Sequence, residues 1–115
     1  MVSGSERVPD VGELIWINLD PQAGHEQAGK RPALVLSPQS YNAKAGLCLA
    51  APITSQVKGY PFEVALPAGL AISGVILADQ LKNLDWRARR ATVADQAPPE
   101  VLAEVRGKLG ALLQF

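Results

Sequence analysis

The segment His25-Glu26-Gln27-Ala28-Gly29-Lys30-Arg31-Pro32 sets a carboxylate, a glycine and a Lys-Arg pair directly before the apolar run Ala33-Leu34-Val35-Leu36. A charged loop seated on a buried strand suits a site that handles phosphate, because the rigid element fixes where the charges stand. The chain has one histidine, His25, so a two-histidine acid–base pair within one subunit is excluded. It has no His-Glu-x-x-His segment, no glycine-rich phosphate loop and no paired-aspartate signature, which leaves a metal-activated water without support in the sequence. The groups that remain are a carboxylate, an arginine and a hydroxyl.

Those groups need a scaffold, and 115 residues provide one domain with a single small core. No apolar run approaches the roughly 20 residues of a membrane-spanning helix. The opening Met1-Val2-Ser3-Gly4-Ser5-Glu6-Arg7 lacks the apolar stretch of a secretory signal. The single cysteine, Cys48, can form no internal disulfide and offers no zinc framework; it is expected as a small buried hydrophobe. A cytoplasmic protein, away from any membrane, is the expectation. Net charge is zero, yet residues 25–92 carry eight Lys and Arg against four Asp and Glu, while both flanking segments are acidic. A basic face on a neutral protein can hold a short anionic strand, or it can be an ordinary solvated face.

The strand signals are short and punctuated. Glu13 to Leu19 is stopped by Asp20-Pro21, Ala33 to Leu36 by Ser37-Pro38, Gly46 to Ala51 by Pro52, and Phe62 to Leu66 by Pro67. Gly74 to Leu81 is a fifth strand, and Arg90 to Val93 a candidate sixth. With no helix pattern between them, they predict a mainly β fold, a small barrel or sandwich. Pro98-Pro99-Glu100 then starts a C-terminal helix, in which Val101, Val105, Leu109 and Leu112, with Leu102 and Leu113, form an apolar stripe. Short helical turns are expected at Tyr41 to Lys44 and around Leu84-Asp85-Trp86.

Five further segments complete a pattern: Val8-Pro9-Asp10-Val11-Gly12, Ala51-Pro52-Ile53-Thr54-Ser55, Lys58-Gly59-Tyr60-Pro61-Phe62-Glu63, Leu77-Ala78-Asp79-Gln80-Leu81-Lys82 and Trp86-Arg87-Ala88-Arg89, together with the Glu26 to Pro32 loop. In this order, over nearly the whole chain, they resemble the MazF/PemK family, the toxins of bacterial toxin–antitoxin pairs. The resemblance implies an SH3-like antiparallel barrel of the MazF/CcdB type, with about five main strands and a C-terminal helix, forming a two-fold dimer. It implies a metal-independent, sequence-selective endoribonuclease that needs no cofactor and cuts single-stranded mRNA. The RNA's own 2′-hydroxyl would attack the phosphorus, leaving a 2′,3′-cyclic phosphate and a 5′-hydroxyl.

By the same resemblance Arg31, in Gly29-Lys30-Arg31-Pro32, and Thr54, in Pro52-Ile53-Thr54, are catalytic. A guanidinium gives two parallel donors to the phosphoryl oxygens, and its high pKa suits it to charge stabilisation rather than proton transfer. The competing readings are an ion pair of Arg31 with Glu26, and Thr54 closing a turn after Pro52. Glu26 is the candidate general base and His25 the alternative. Ser55, Gln56, Lys58, Gln80 and Lys82 are candidate RNA-binding residues, amides for base edges and lysines for phosphates. Trp16, Trp86, Tyr41 and Tyr60 could stack on bases, although packing is the expected role of the two tryptophans. The loop Ala68 to Ser73 is more apolar than in familiar members, so their cleavage preferences do not transfer. The strand from Val75 to Leu81, with Trp86, is expected at the dimer interface, with the RNA groove alongside.

The implied partner is a MazE-like antitoxin whose acidic C-terminal tail lies in the groove, with DNA contacted only indirectly, through that antitoxin. Two rival functions share the barrel: a non-enzymatic gyrase poison of the CcdB type, and a binding module without catalysis. The gyrase poison would bind a protein target and need neither Arg31 nor Thr54.

Overall fold

The computed structural model describes residues 7–18 and 29–115. Within them the apolar runs become β1 (Glu13–Asn18), β2 (Lys30–Val35), β3 (Cys48–Thr54), β4 (Glu63–Ala65), β5 (Val75–Leu77), β6 (Lys82–Leu84) and β7 (Thr92–Gln96). Two helices accompany them, α1 (Gln39–Ala45) and α2 (Pro99–Leu113). The strand order is β4-β5-β3-β2-β1-β7, with β6 also paired to β3. All these pairings are antiparallel. The ladder ends at β4 and β7, so the SH3-like sheet curls without being closed by hydrogen bonds.

Alternation along the strands sorts side chains into two cores. Leu14, Leu34, Ala51, Ile53, Val64 and Ile76 pack with Val101, Val105 and Leu109 of α2. Ile15, Ile17, Ala33, Val35, Cys48 and Ala50 pack with Leu84 and Trp86 on the other side. Because side chains of neighbouring residues point to opposite faces, a central sheet with both faces covered reads as unbroken apolar runs. The helical stripe buries Val101, Val105 and Leu109, whereas Leu112 and Leu113 stand exposed in the last turn. Pro98 and Pro99 start that helix as expected, since proline's missing N–H is not needed in the first turn.

Three expectations change. The fifth strand, expected from Gly74 to Leu81, is only Val75–Leu77, and an unexpected strand follows at Lys82–Leu84: β3 pairs β5 at Ile53 and Thr54, and β6 at Cys48 to Ala50. Pro52 lies between these stretches and has no N–H to donate, so the ladder breaks there and residues 78–81 leave it. Around Leu84-Asp85-Trp86 a strand end comes first, and the helical turn lies slightly later, at Trp86 to Arg90, closed by Arg89 N–H to Asp85 O at 3.0 Å. Arg90 takes the left-handed conformation, φ 54°. Finally, Val75, Ile76, Ala78 and Trp86 are all buried within their own protomer. These four are core rather than surplus apolar surface; Leu77 and Leu81, half-buried, are the apolar side chains of that segment that reach the surface. Burial of the Trp86 indole is completed by a hydrogen bond from Nε1 to Asn42 O at 2.9 Å.

The Tyr41 to Lys44 turn is extended into α1. Its Asn42 is fully buried yet satisfied: Nδ2 donates to Pro9 O at 2.8 Å and Ser37 O at 3.0 Å, and Oδ1 accepts from Ser37 Oγ at 2.6 Å. Such a knot fixes the corner between the N-terminal segment and β2, where an unpaired amide would be destabilising.

Candidate active site

Two neighbouring strand ends bring the chemistry together. The β2–β3 ladder pairs Val35 with Ala50, Leu34 with Ala51 and Ala33 with Pro52. Continued two residues past its last pair, the same register sets Arg31 opposite Thr54. Both lie on the face of the sheet that carries Ala33 and Ala50, because side chains repeat with a period of two. They line one groove, about 510 Å³ in volume, together with Trp16, Lys30, Pro32, Ile53, Ser55 and Gln56. Ala71, Ile72 and Ser73 supply its far wall. Among the described lining residues two are cationic, none is acidic, and both hydroxyl and amide donors are present. An anion is therefore the ligand this groove favours.

Local geometry leaves the key groups available. Arg31 is exposed and uses one Nη1 donor on Lys30 O at 2.8 Å. A guanidinium carries five N–H donors, so this bond orients the side chain without exhausting it. Thr54 Oγ1 accepts from the Gln56 N–H at 3.1 Å. That bond steadies the oxygen and leaves the hydroxyl proton to be donated elsewhere. It also realises the turn-closing reading of Thr54, which is compatible with chemistry because only a lone pair is occupied.

The supports come from distant parts of the chain. β1 pairs its Ile17 with Arg31 and its Asn18 with Lys30. The end of β1 is fixed by Arg89, whose Nη1 donates to Asn18 O and whose carbonyl accepts from Asn18 N, both at 2.9 Å. Behind Thr54 stands Gly74, at φ +123°; a Cβ there would lie 2.3 Å from Thr54 O. Only glycine permits that approach. Asp95 of β7 accepts from Ala71 N–H at 2.8 Å and so fixes the far wall.

Of the expected site residues, the structure gathers Arg31, Thr54, Ser55 and Gln56 in the groove. Lys58 lies outside it in the exposed β3–β4 loop, whose Lys58 and Gly59 N–H groups donate to the Glu63 carboxylate at 3.0 and 2.9 Å. Gln80 and Lys82 are exposed on the β5–β6 segment, also outside the groove lining. Glu26 and His25 lie outside the described residues. Trp16, for which packing was expected over base stacking, is half-buried and lines the groove; sequence reasoning missed Gly74, Arg89 and Asp95 as supports. A glycine directly before a strand was the available signal for Gly74, and Arg89 ends the Trp86 to Arg89 segment, where its support of β1 was not foreseen; Asp95 acts through a tertiary contact that no local pattern announces.

Comparison with known proteins agrees with this picture. A family model described as "PemK-like, MazF-like toxin of type II toxin-antitoxin system" matches residues 10–113. The chain is similar to the endoribonuclease toxin MazF of Escherichia coli, 53% identical over 109 residues that span 95% of this chain and 97% of that one. The crystal structure of Deinococcus radiodurans MazF superposes with a TM-score of 0.86 at 63% identity, covering 96% of this chain and all of that one. A crystal structure of the MazE–MazF complex from the same organism matches with a TM-score of 0.86 at 56% identity, covering 96% of this chain and 99% of that one.

Proposed function

The chain belongs to the PemK-like, MazF-like toxin family of type II toxin–antitoxin systems, and we propose that its toxicity is RNA cleavage at the Arg31–Thr54 groove. It is an endoribonuclease toxin, as its relatives are named. The observation that carries the site assignment is the convergence of Arg31 of β2 and Thr54 of β3 on one groove, with cations and no carboxylate among its described lining residues.

The chemistry follows from what these groups can do. A single-stranded RNA lies with one phosphate between Arg31 and Thr54. Its 2′-hydroxyl attacks the phosphorus, the bond to the 5′-oxygen breaks, and a 2′,3′-cyclic phosphate and a 5′-hydroxyl are left. Negative charge grows on the non-bridging oxygens as phosphorus becomes five-coordinate. Arg31 meets it with charge-assisted N–H donors, and the Thr54 hydroxyl adds a third donor. Both act most strongly on the transition state, which makes them catalytic rather than merely binding groups. The proton acceptor for the 2′-hydroxyl is Glu26, with His25 the alternative, and the leaving 5′-oxygen takes its proton from solvent. Ser55 and Gln56 read bases within the groove, while Lys58, Gln80 and Lys82 extend the strand's path outside it.

The reading includes a two-fold dimer and an antitoxin with an acidic tail that competes for the same cations. The MazE–MazF complexes of the similar Deinococcus protein support an antitoxin partner. Among the described residues no helix is long and apolar enough to cross a membrane, and we place the protein in the cytoplasm. The test is to incubate the purified protein with a long single-stranded RNA in EDTA and to identify both new ends. Cleavage with cyclic-phosphate and 5′-hydroxyl ends is expected. Cleavage that stops on chelation, or that leaves 5′-phosphates, would overturn this mechanism.

A further inference from the structure

We infer that Asp95 is a positioning residue that holds loop 67–73 as the wall against which the base flanking the scissile phosphate is selected. This rests on the RNA-cleaving reading of the groove. The loop connects β4 to β5 and closes at its base through Leu66 N–H to Gly74 O at 3.0 Å. At its crown the Ala71 N–H donates to Asp95 Oδ2 at 2.8 Å, across 24 residues of sequence. The second carboxylate oxygen, Oδ1, accepts from the Gln96 N–H at 2.8 Å, so the side chain cannot swing without giving up a bond. These two backbone donors, that of Ala71 foremost, hold the Asp95 carboxyl below its ordinary range. The clamp is therefore charged at neutral pH.

Two further contacts tie the wall to the reaction centre. Ile72 is inserted into the core, 3% exposed, which leaves Ala71 and Ser73 on either side of it exposed along the groove. Gly74 then presses against the Thr54 carbonyl with no room for a Cβ. The wall is thus registered against the strand end that carries Thr54. An RNA strand with its phosphate between Arg31 and Thr54 must lay a neighbouring base along Ala71 and Ser73. A wall that does not yield rejects a base of the wrong shape; a wall that yields accepts more bases without improving the right one. Asp95 does not touch the reacting atoms, so its removal changes selection more than turnover.

The experiment maps the wild type's preferred cleavage site on a long RNA. It then compares kcat/KM for that site with its single-nucleotide variants in wild type, Asp95→Ala and Asp95→Asn. In Asp95→Ala, discrimination at the flanking base should fall by about 5- to 20-fold, while kcat on the preferred site stays within about threefold. Asp95→Asn keeps one acceptor oxygen for two donors and should fall between. Thermal melts come first; if Asp95→Ala does not fold, Asp95→Asn carries the test. Folded variants with unchanged discrimination, or with kcat lowered equally on every sequence, would overturn the inference. A wild type that cuts no RNA at all would overturn the RNA-cleaving reading itself, which the variant comparison then separates from a failure confined to Asp95.

Discussion

On one side of the groove, Arg31 and Thr54 stand at the ends of β2 and β3, whose ladder runs directly into two buried apolar clusters. On the other, Ala71 and Ser73 stand in a loop held by one carboxylate, one inserted isoleucine and one glycine contact. The first side is positioned by cooperative structure that cannot move without unfolding the sheet. The second is positioned by a few separable contacts. The division suits an enzyme in which the chemistry is fixed and the choice of sequence is adjustable, because a small change in a wall alters selection without disturbing the catalytic pair.

The comparison is broken most severely by Arg31→Ala. The Arg31 side chain is exposed and bonds only to its neighbour's carbonyl among the described residues, so the variant should keep wild-type stability while turnover drops by roughly 10³-fold. A folded variant within about threefold of wild type would remove Arg31 from the site. Thr54→Ala should lower kcat by on the order of 10²-fold with little change in RNA affinity, since one hydroxyl adds little to ground-state binding. Gly74→Ala would place a methyl against the Thr54 carbonyl in a backbone conformation strained for alanine. It should destabilise the fold by about 1–3 kcal/mol and slow cleavage about tenfold. An unaffected melting temperature and rate would show that the two sides of the groove are not in register.

Smaller effects sharpen the picture. Lys58→Ala and Lys82→Ala should each weaken RNA binding and reduce the salt dependence by about one unit of slope if the lysine contacts a phosphate. An unchanged slope would take that lysine off the strand's path. Cys48 tests the rigid side directly, since burial raises its thiol pKa from an ordinary 9.0 to about 11. The thiol stays neutral in the fold but ionises near its ordinary value in the unfolded chain. This contribution to stability is therefore complete below about pH 9 and lost as pH rises towards 11. At pH 8 a thiol reagent should label unfolded protein and leave the native protein unlabelled; rapid native labelling would mean that the β2–β3 core opens readily.

What could be read from the sequence divides along the same line as the groove. Arg31 and Thr54 were legible because each sits in a short motif beside an apolar run, and a strand's period fixes where its end residues point. Asp95 was not, since its partner Ala71 is 24 residues away and neither lies in a recognisable segment. The helix stripe predicted Val101, Val105 and Leu109 correctly but overextended to Leu112, because periodicity does not tell where the partner surface ends. Gly74 to Leu81 reads as one strand for a related reason: Pro52's interruption of the ladder, and the second core around Trp86, are not visible in it.

The central claim is that Arg31 and Thr54 act together on one phosphate, and a double-mutant cycle on single-turnover cleavage tests it most directly. Residues that stabilise the same transition-state charge lose their separate effects when one is already missing. The Arg31→Ala/Thr54→Ala double variant should therefore cleave within about tenfold of Arg31→Ala alone. Losses that multiply fully, to roughly 10⁵-fold, would mean that the two residues serve independent steps and that the paired strand ends do not form one site.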